Sequence, residues 1–522
     1  MPSYLATFAE LYAISDLHMG GQKTDDSNFQ IFNRGDRLAG LIDYVAAQRP
    51  EEDVALILNG DIIDSLAEET VPGRYVALDS DSVLNLVNRI VEDASFSMVW
   101  AALGRFVQKK RRYLVFVVGN HDIELALPVV EAEIRQRLTG SDAEASSRVV
   151  FSTHGAGFGC MVGSARVFCT HGNELDAMNW VDYNLLGQLA NAMAAGRAGR
   201  PEKWKPNGGT RVVIDVMNIV KRNYPFIDLL KPETTAVAGV LVAIDKDTFS
   251  KVDLGEAFPI LTAAFKGNSV TSNLLGADGT ISPSAPAQAV ADAAIDQLLG
   301  PNLRDAVARQ RGGRPGAKED DLLMEAAAVA GGLRPVASRP VGLTTGTLGA
   351  RDLISNWVGL IPKVEALRRA LKDWMKDDPT YEVTTMDNTY RGMEDRIADT
   401  VNFTITGHTH LARALRFPRG GYYYNCGTWI RLLRLTTQVL DDANAFEKVL
   451  WPALNARRMD ALDSAQIPGP DGQNVPLVFD RTNAVRVSAT ASGVVGDLLR
   501  ITGDSKQGVQ LNVEPGTTST KV

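Results

Sequence analysis

Six short apolar segments constrain this chain most. They are LYAISD (11–16), VALILNGD (54–61), YLVFVVGNHD (113–122), ARVFCTHG (165–172), VNFTITGHTH (401–410) and YYYNCGTW (422–429). Each is a brief β-branched, aliphatic or aromatic run stopped by Gly, Asn or Asp, the pattern of a strand buried on both faces. Helical periodicity at 32–48 and 82–110 separates the first three. Strand alternating with helix predicts an α/β fold, in which ligands gather at the carboxyl ends of the strands. The segment CMVGSARVF (160–168) predicts a hairpin turning at Gly163-Ser164, which makes the sheet mixed rather than all parallel.

A chain of 522 residues is too long for one ordinary core. From about 176 to 395 the strand signal fades, and helical periodicity appears at 181–197, 212–222, 287–299, 321–330 and 352–376, with Gly/Pro breaks such as 311–315. These spans predict a core in two parts (9–185 and 396–440) around a mainly helical insertion (186–395), which is expected to act as a cap governing substrate choice. The C-terminal extension, 441–522, contains a helical piece at 443–459, a Pro/Gly loop at 468–473 and an alternating stretch at 485–489 suited to an edge strand.

A net charge of -8 counts against general affinity for nucleic-acid backbone. No stretch approaches 18 apolar residues, the start lacks the basic and apolar regions of a secretory signal, and the three cysteines have no CxxC spacing. A cytoplasmic protein without a transmembrane segment is expected, of undetermined oligomeric state.

The strand ends carry the chemistry. Five of the six histidines stand there, as His18, His121, His171, His408 and His410, together with Asp16, Asp61 and Asn120. Imidazole and carboxylate suit Mn, Fe and Zn, and a carboxylate can bridge two ions. In Asp16-Leu17-His18 and His408-Thr409-His410, residues two apart on an extended chain point to one side. Gly60, Gly119 and Gly407 precede Asp61, Asn120 and His408, where sharp turns bring backbone close to the ligands. His154 lies outside the pattern and is expected to be structural, and Cys169 to be a small buried hydrophobe. The basic run at 109–112 is expected to be a solvated helix end. The apolar stretch at 353–361 is expected to pack on its own core.

The series Asp16-x-His18, Gly60-Asp61, Gly119-Asn120-His121-Asp122, His171-Gly172 and Gly407-His408-x-His410 resembles the calcineurin-like metallophosphoesterase superfamily, in order and in every motif. Its flanks SDLHMGG, GDIID and GNHD, with NCGTW at 425–429, look most like the branch of the UDP-2,3-diacylglucosamine hydrolases. The resemblance covers about 10–185 and 400–430. It implies a four-layer α/β/β/α sandwich with mixed sheets and a metal-dependent hydrolase of phosphate esters. Phosphodiester or pyrophosphate bonds of a small molecule or nucleotide-type substrate are favoured, attacked by a metal-bridged hydroxide.

By the same resemblance Asp16, His18, Asp61 and His410 would hold one divalent ion, and Asp61, Asn120, His171 and His408 the other. Mn2+ is expected, with Fe and Zn as alternatives. His121 would stabilise charge on the phosphate and protonate the leaving oxygen; Asp122 would orient His121 or close the turn. Asn173, Glu174 and Asp64 are candidates for substrate contact or support. Asn173 stands where the hydrolase branch usually has an acid, and Leu411 where a basic residue commonly follows. Rival readings are a nuclease of the same superfamily and a binding scaffold without catalysis.

Overall fold

A computed structural model describes residues 5–72, 74–176, 179–197, 201–230, 362–374 and 381–521, with positions 240, 243 and 244. Its contacts fall into two compact units, one of residues 1–210, 379–432 and 480–522, the other of 211–378 and 433–479.

Two sheets form the first unit. The smaller contains β1 (Thr7–Phe8), β6 (Phe158–Val162), β7 (Ala165–Cys169), β8 (Phe403–Thr406), β9 (Ala412–Arg416) and β10 (Tyr422–Cys426), in the order β1-β6-β7-β8-β10-β9. The larger contains β2 (Glu10–Ile14), β3 (Val54–Asn59), β4 (Arg112–Val117), β5 (Val149–Ser152), β11 (Thr482–Thr490), β12 (Gly493–Asp504), β13 (Gly508–Val513) and β14 (Ser519–Lys521). Its order is β13-β12-β11-β2-β3-β4-β5, with β14 also on β12.

Strands β2 to β5 are parallel, whereas β11 runs antiparallel to β2. In the smaller sheet β7, β8 and β10 are parallel, and β6 and β7 form the antiparallel hairpin at Gly163-Ser164. Both sheets are mixed, as the sequence predicted.

Alternation along the strands sorts the core into layers. Tyr12, Ile14, Leu56, Leu58, Leu114 and Phe116 face the helices α1 (Gly35–Ala47), α2 (Ser80–Glu92), α3 (Ser97–Gln108) and α4 (Pro128–Thr139). Their neighbours Leu11, Ala13, Ala55, Ile57, Val115 and Val117 pack between the sheets against Val167, Cys169, Phe403, Ile405 and Cys426. On the outer face of the smaller sheet Tyr423 meets Tyr390 and Met393 of the helix Asn388–Arg396. The result is the four-layer α/β/β/α sandwich.

Register places the chemistry. Ile14 pairs with Leu58, and Leu58 with Phe116, so the chain after each strand emerges at one edge. Cys169 pairs with Ile405 in the other sheet, which brings the chain before His171 level with that before His408.

Three sequence expectations need correction. The pattern at 82–110 is two helices, broken at residues 93–96, where Phe96 turns fully into the core. The alternating stretch at 485–489 belongs to β11, an interior strand flanked by β2 and β12. Arg112 is no solvated helix end: it opens β4, buried, with its guanidinium donating to the carbonyls of Ala46 and Glu52 at 3.0 Å each.

In the second unit the helix Lys363–Trp374 buries Ala366, Leu367, Ala370 and Leu371. The piece at 443–459 is broken into Ala443–Ala445, a wide π turn at Phe446–Leu450 and Trp451–Leu454, ahead of and around Pro452. The Pro/Gly loop at 468–473 joins the short strands Gln466–Pro468 and Asn474–Pro476. The helices expected at 287–299 and 321–330, the break at 311–315 and the apolar stretch at 353–361 lie outside the described residues. Among the described residues no helix is long and apolar enough to cross a membrane.

Candidate metal centre

At the shared edge of the two sheets one ligand atom from each of Asp16, His18 and His410 lies within 4.8 Å of the others; the same holds for His18, Asp61 and His121, and for Asp16, Asp61 and His171. Asp61 links the second and third groups. Its Oδ2 stands 3.2 Å from His171 Nε2 and 3.6 Å from His18 Nε2, while its Oδ1 accepts the His121 backbone N–H at 2.9 Å. Asp16 lies 3.6 Å from His410 Nε2 and accepts the His408 N–H on both oxygens at 3.1 Å.

The backbone is strained where these residues sit. Asp16, His18, Asp61, His408 and His410 all have left-handed φ, between 47° and 71°. That conformation costs a non-glycine residue roughly 1 kcal/mol or more, and it persists where the surroundings enforce it, commonly at functional sites. The glycines are equally constrained. A Cβ on Gly60 would fall 2.3 Å from His171 Nδ1, and one on Gly119 2.2 Å from Asp61 Oδ1.

The residues fit a bound cation. Buried atoms here that find no hydrogen-bond partner include both ring nitrogens of His18, Oδ1 of Asn120 and Nε2 of His171. His171 Nδ1 donates to the Asn59 carbonyl at 2.9 Å, which leaves Nε2 turned to Asp61. Burial would raise the Asp61 pKa, but His171, His121 and His18 hold its carboxyl well below the usual range. Burial opposes charge on His171, yet the Asp61 and Asp16 carboxylates push its pKa up to about 10. A field that holds a proton there so firmly is one that a divalent cation would exploit.

Of the candidates for supporting His121, Asp64 is the one that meets its ring. Its Nδ1 lies 3.0 Å from Asp64 Oδ1, and Asp64 Oδ2 is also 3.6 Å from His18 Nδ1. Burial notwithstanding, His121 and His18 keep Asp64 well below the ordinary carboxylate range, so it accepts. Asp122 spends its oxygens on the backbone N–H groups of Gly119 (2.6 Å) and Ile62 (2.7 Å), and closes the turn. Burial and the Asp61 charge push Asp122 up to about 8, against those two donors.

Glu174 braces its own loop, accepting from Thr170 Oγ1 and the Gly172 N–H at 3.0 Å each. Asn173 is fully buried and donates to the Asn179 carbonyl at 3.1 Å. The NCGTW motif is a brace: Asn425 donates to the Gly407 carbonyl at 2.7 Å, and Thr428 to the Asp16 carbonyl at 2.9 Å. His154 is exposed and joins none of the three groups. Neither does His408, whose Nε2 instead lies 3.1 Å from Asp176 Oδ2. Asp64 and Asp176 follow ligand candidates by three and five residues, a spacing that carries no period of its own.

Residues 10–227 match the family model described as calcineurin-like phosphoesterase. The chain carries a calcineurin-like phosphoesterase domain. That domain is one of metal-dependent phosphoester hydrolases, and the matched span holds Asp16, His18, Asp61, Asn120, His121 and His171 but ends before His408 and His410. No curated protein matches the chain. Among solved structures, a dimetal phosphatase from Danio rerio is 11% identical over 97% of this chain and 98% of its own, with a TM-score of 0.27, a likeness too remote to carry an argument.

Proposed function

We propose that this phosphoesterase holds two divalent ions, Mn2+ in the first instance, and cleaves phosphodiester or pyrophosphate bonds of a small nucleotide-type molecule. Asp16, His18, Asp61 and His410 would hold one ion; Asp61, Asn120, His171 and His408 would hold the other. The observation that carries this reading is Asp61, one of whose oxygens faces imidazoles from both sheets. Bound ions of this kind supply positive charge to the phosphoryl oxygens and acidify water.

The chain's own residues do the rest. Ionised Asp64 accepts the Nδ1–H of His121 and turns Nε2 toward the substrate side, where it protonates the leaving oxygen. His121 suits this task, since its side chain keeps 19% of its surface exposed while those of His18 and His171 are almost fully covered. Asn173 and Leu411 are both buried, and neither offers a charge to a lipid-sugar headgroup, so a nucleotide-type substrate is favoured over the lipid branch. Three buried free thiols fit a reducing cytoplasm.

The test is hydrolysis of bis-p-nitrophenyl phosphate, p-nitrophenyl phosphate and single- and double-stranded DNA by the full chain with added Mn2+. Diester turnover is expected, with kcat falling about 10²–10⁴-fold in His121→Ala at unchanged metal content. Faster turnover of the monoester would overturn the bond preference. Faster turnover of DNA would establish the nuclease reading.

A further inference from the structure

The ring of His408 is held by a group that the ligand motifs do not contain. We propose that Asp176 is a positioning residue for His408: it accepts the Nε2–H and so leaves the Nδ1 lone pair for an ion. This rests on the two-ion reading above.

The contact is His408 Nε2 to Asp176 Oδ2, at 3.1 Å. An ionised carboxylate only accepts, so the proton of a neutral imidazole in this pair resides on Nε2. The main chain of His408 is already fixed at the other end by the Asp16 carboxylate, in a left-handed conformation. His408 is thus clamped between two acids, one on its N–H and one on its ring.

The loop after His171 is built to deliver the second acid. Gly172 turns it at φ 112°, Glu174 ties it back to Thr170 and Gly172, and a single 3-10 turn at Asn173–Leu175 follows. The Asp176 N–H then donates to the Asn173 carbonyl at 3.1 Å, and Asn179 Nδ2 donates to Asp176 Oδ2 at 2.7 Å. One loop therefore carries His171 and orients His408. A carboxylate behind a ligating imidazole fixes its tautomer and strengthens it as a donor, and loss of such partners typically costs about 10–100-fold in metal affinity.

Calorimetric titration of the metal-stripped full chain with Mn2+ tests this, using Asp176→Ala and Asp176→Glu, with circular dichroism and thermal melting as controls on folding. The expected result is two ions in the parent, one of them weakened about 10–100-fold in Asp176→Ala, and recovery of most of that loss in Asp176→Glu. Equal weakening of both ions in a folded Asp176→Ala would overturn the proposal, as would unchanged binding of both. If the parent takes up fewer than two ions, the two-ion reading itself falls, whatever the variants do.

Discussion

The two sheets of the first unit bring unequal shares of acid and imidazole to their common edge. The loops of the larger sheet deliver Asp16, Asp61, Asp64, Asp122 and Glu124, five buried acids, with only His18 and His121 as imidazoles among them. The loops of the smaller sheet deliver the imidazoles of His171, His408 and His410. Buried carboxylates are costly unless paired, and buried imidazoles with bare lone pairs gain little from each other. Asp64 finds His121 and His18 within its own half, whereas Asp61 and Asp16 also reach across to His171 and His410. Asn59, at the end of β3, shows how the halves are joined: its side chain donates to the Thr170 carbonyl at 2.9 Å and its own carbonyl receives His171 Nδ1.

If Asp61 is the tie across this division, Asp61→Asn should do the most damage. The amide keeps the size but loses the charge that faces His171 and His18. Supporting groups outside the ligand set are worth about 10–100-fold in activity, so removal of the bridging carboxylate should cost more than about 100-fold. Elemental analysis should find both ions diminished. Retention of both ions by Asp61→Asn would mean that the two halves do not meet at this residue.

A steric test comes next, at the point where the halves touch. In Gly60→Ala the new methyl would collide with the His171 ring 2.3 Å away, at a φ of 88° that favours glycine. A loss of about 2–4 kcal/mol in urea unfolding is expected. Gly187→Ala is the control, because that glycine lies within the helix Tyr183–Ala194 and an added Cβ meets nothing within 4 Å. It should be neutral or stabilise by up to about 1 kcal/mol. Equal effects of the two substitutions would remove the argument for a tight seam at Gly60.

These contrasts also explain what could be read from the chain. The strand ends were legible, because a run such as VALILNGD stops being apolar where β3 leaves the sheet, and the ligand candidates stand at those stops. The residues that serve them were less so. Asp64 was one of three candidates for substrate contact or support, and Asp122, adjacent to His121, could either orient that ring or close the turn. Adjacency alone could not choose between these roles: the Gly119 turn directs Asp122 onto backbone N–H groups, and the loop after β3 brings Asp64 to His121. Arg112 failed for the same kind of reason. Its position in a basic run suggested solvent, while carbonyl groups at the end of α1 and before β3 made a buried socket that no local pattern encodes. The left-handed φ of five site residues was invisible altogether, because Asp and His are not residues whose type announces it.

The smallest effect concerns Glu124, whose burial outweighs the help that Ser65 and His121 give its charged form. Its carboxyl is fully buried, and burial pushes its pKa up to about 7. The sign follows from proton linkage. In the unfolded chain this group loses its proton near its ordinary value of 4.5, whereas in the folded chain it keeps it to about 7. The folded state then binds more protons across that interval, and stability falls as pH rises through it, by something on the order of 2–3 kcal/mol above pH 7. Glu124→Gln removes the titration and keeps the shape. Urea midpoints of the metal-free protein should be nearly equal for parent and variant at pH 5, with the variant the more stable at pH 8. A variant less stable than the parent at pH 8 would show that Glu124 is charged and compensated in the fold. The acidic half of the centre would then be less in need of a cation than its burial implies.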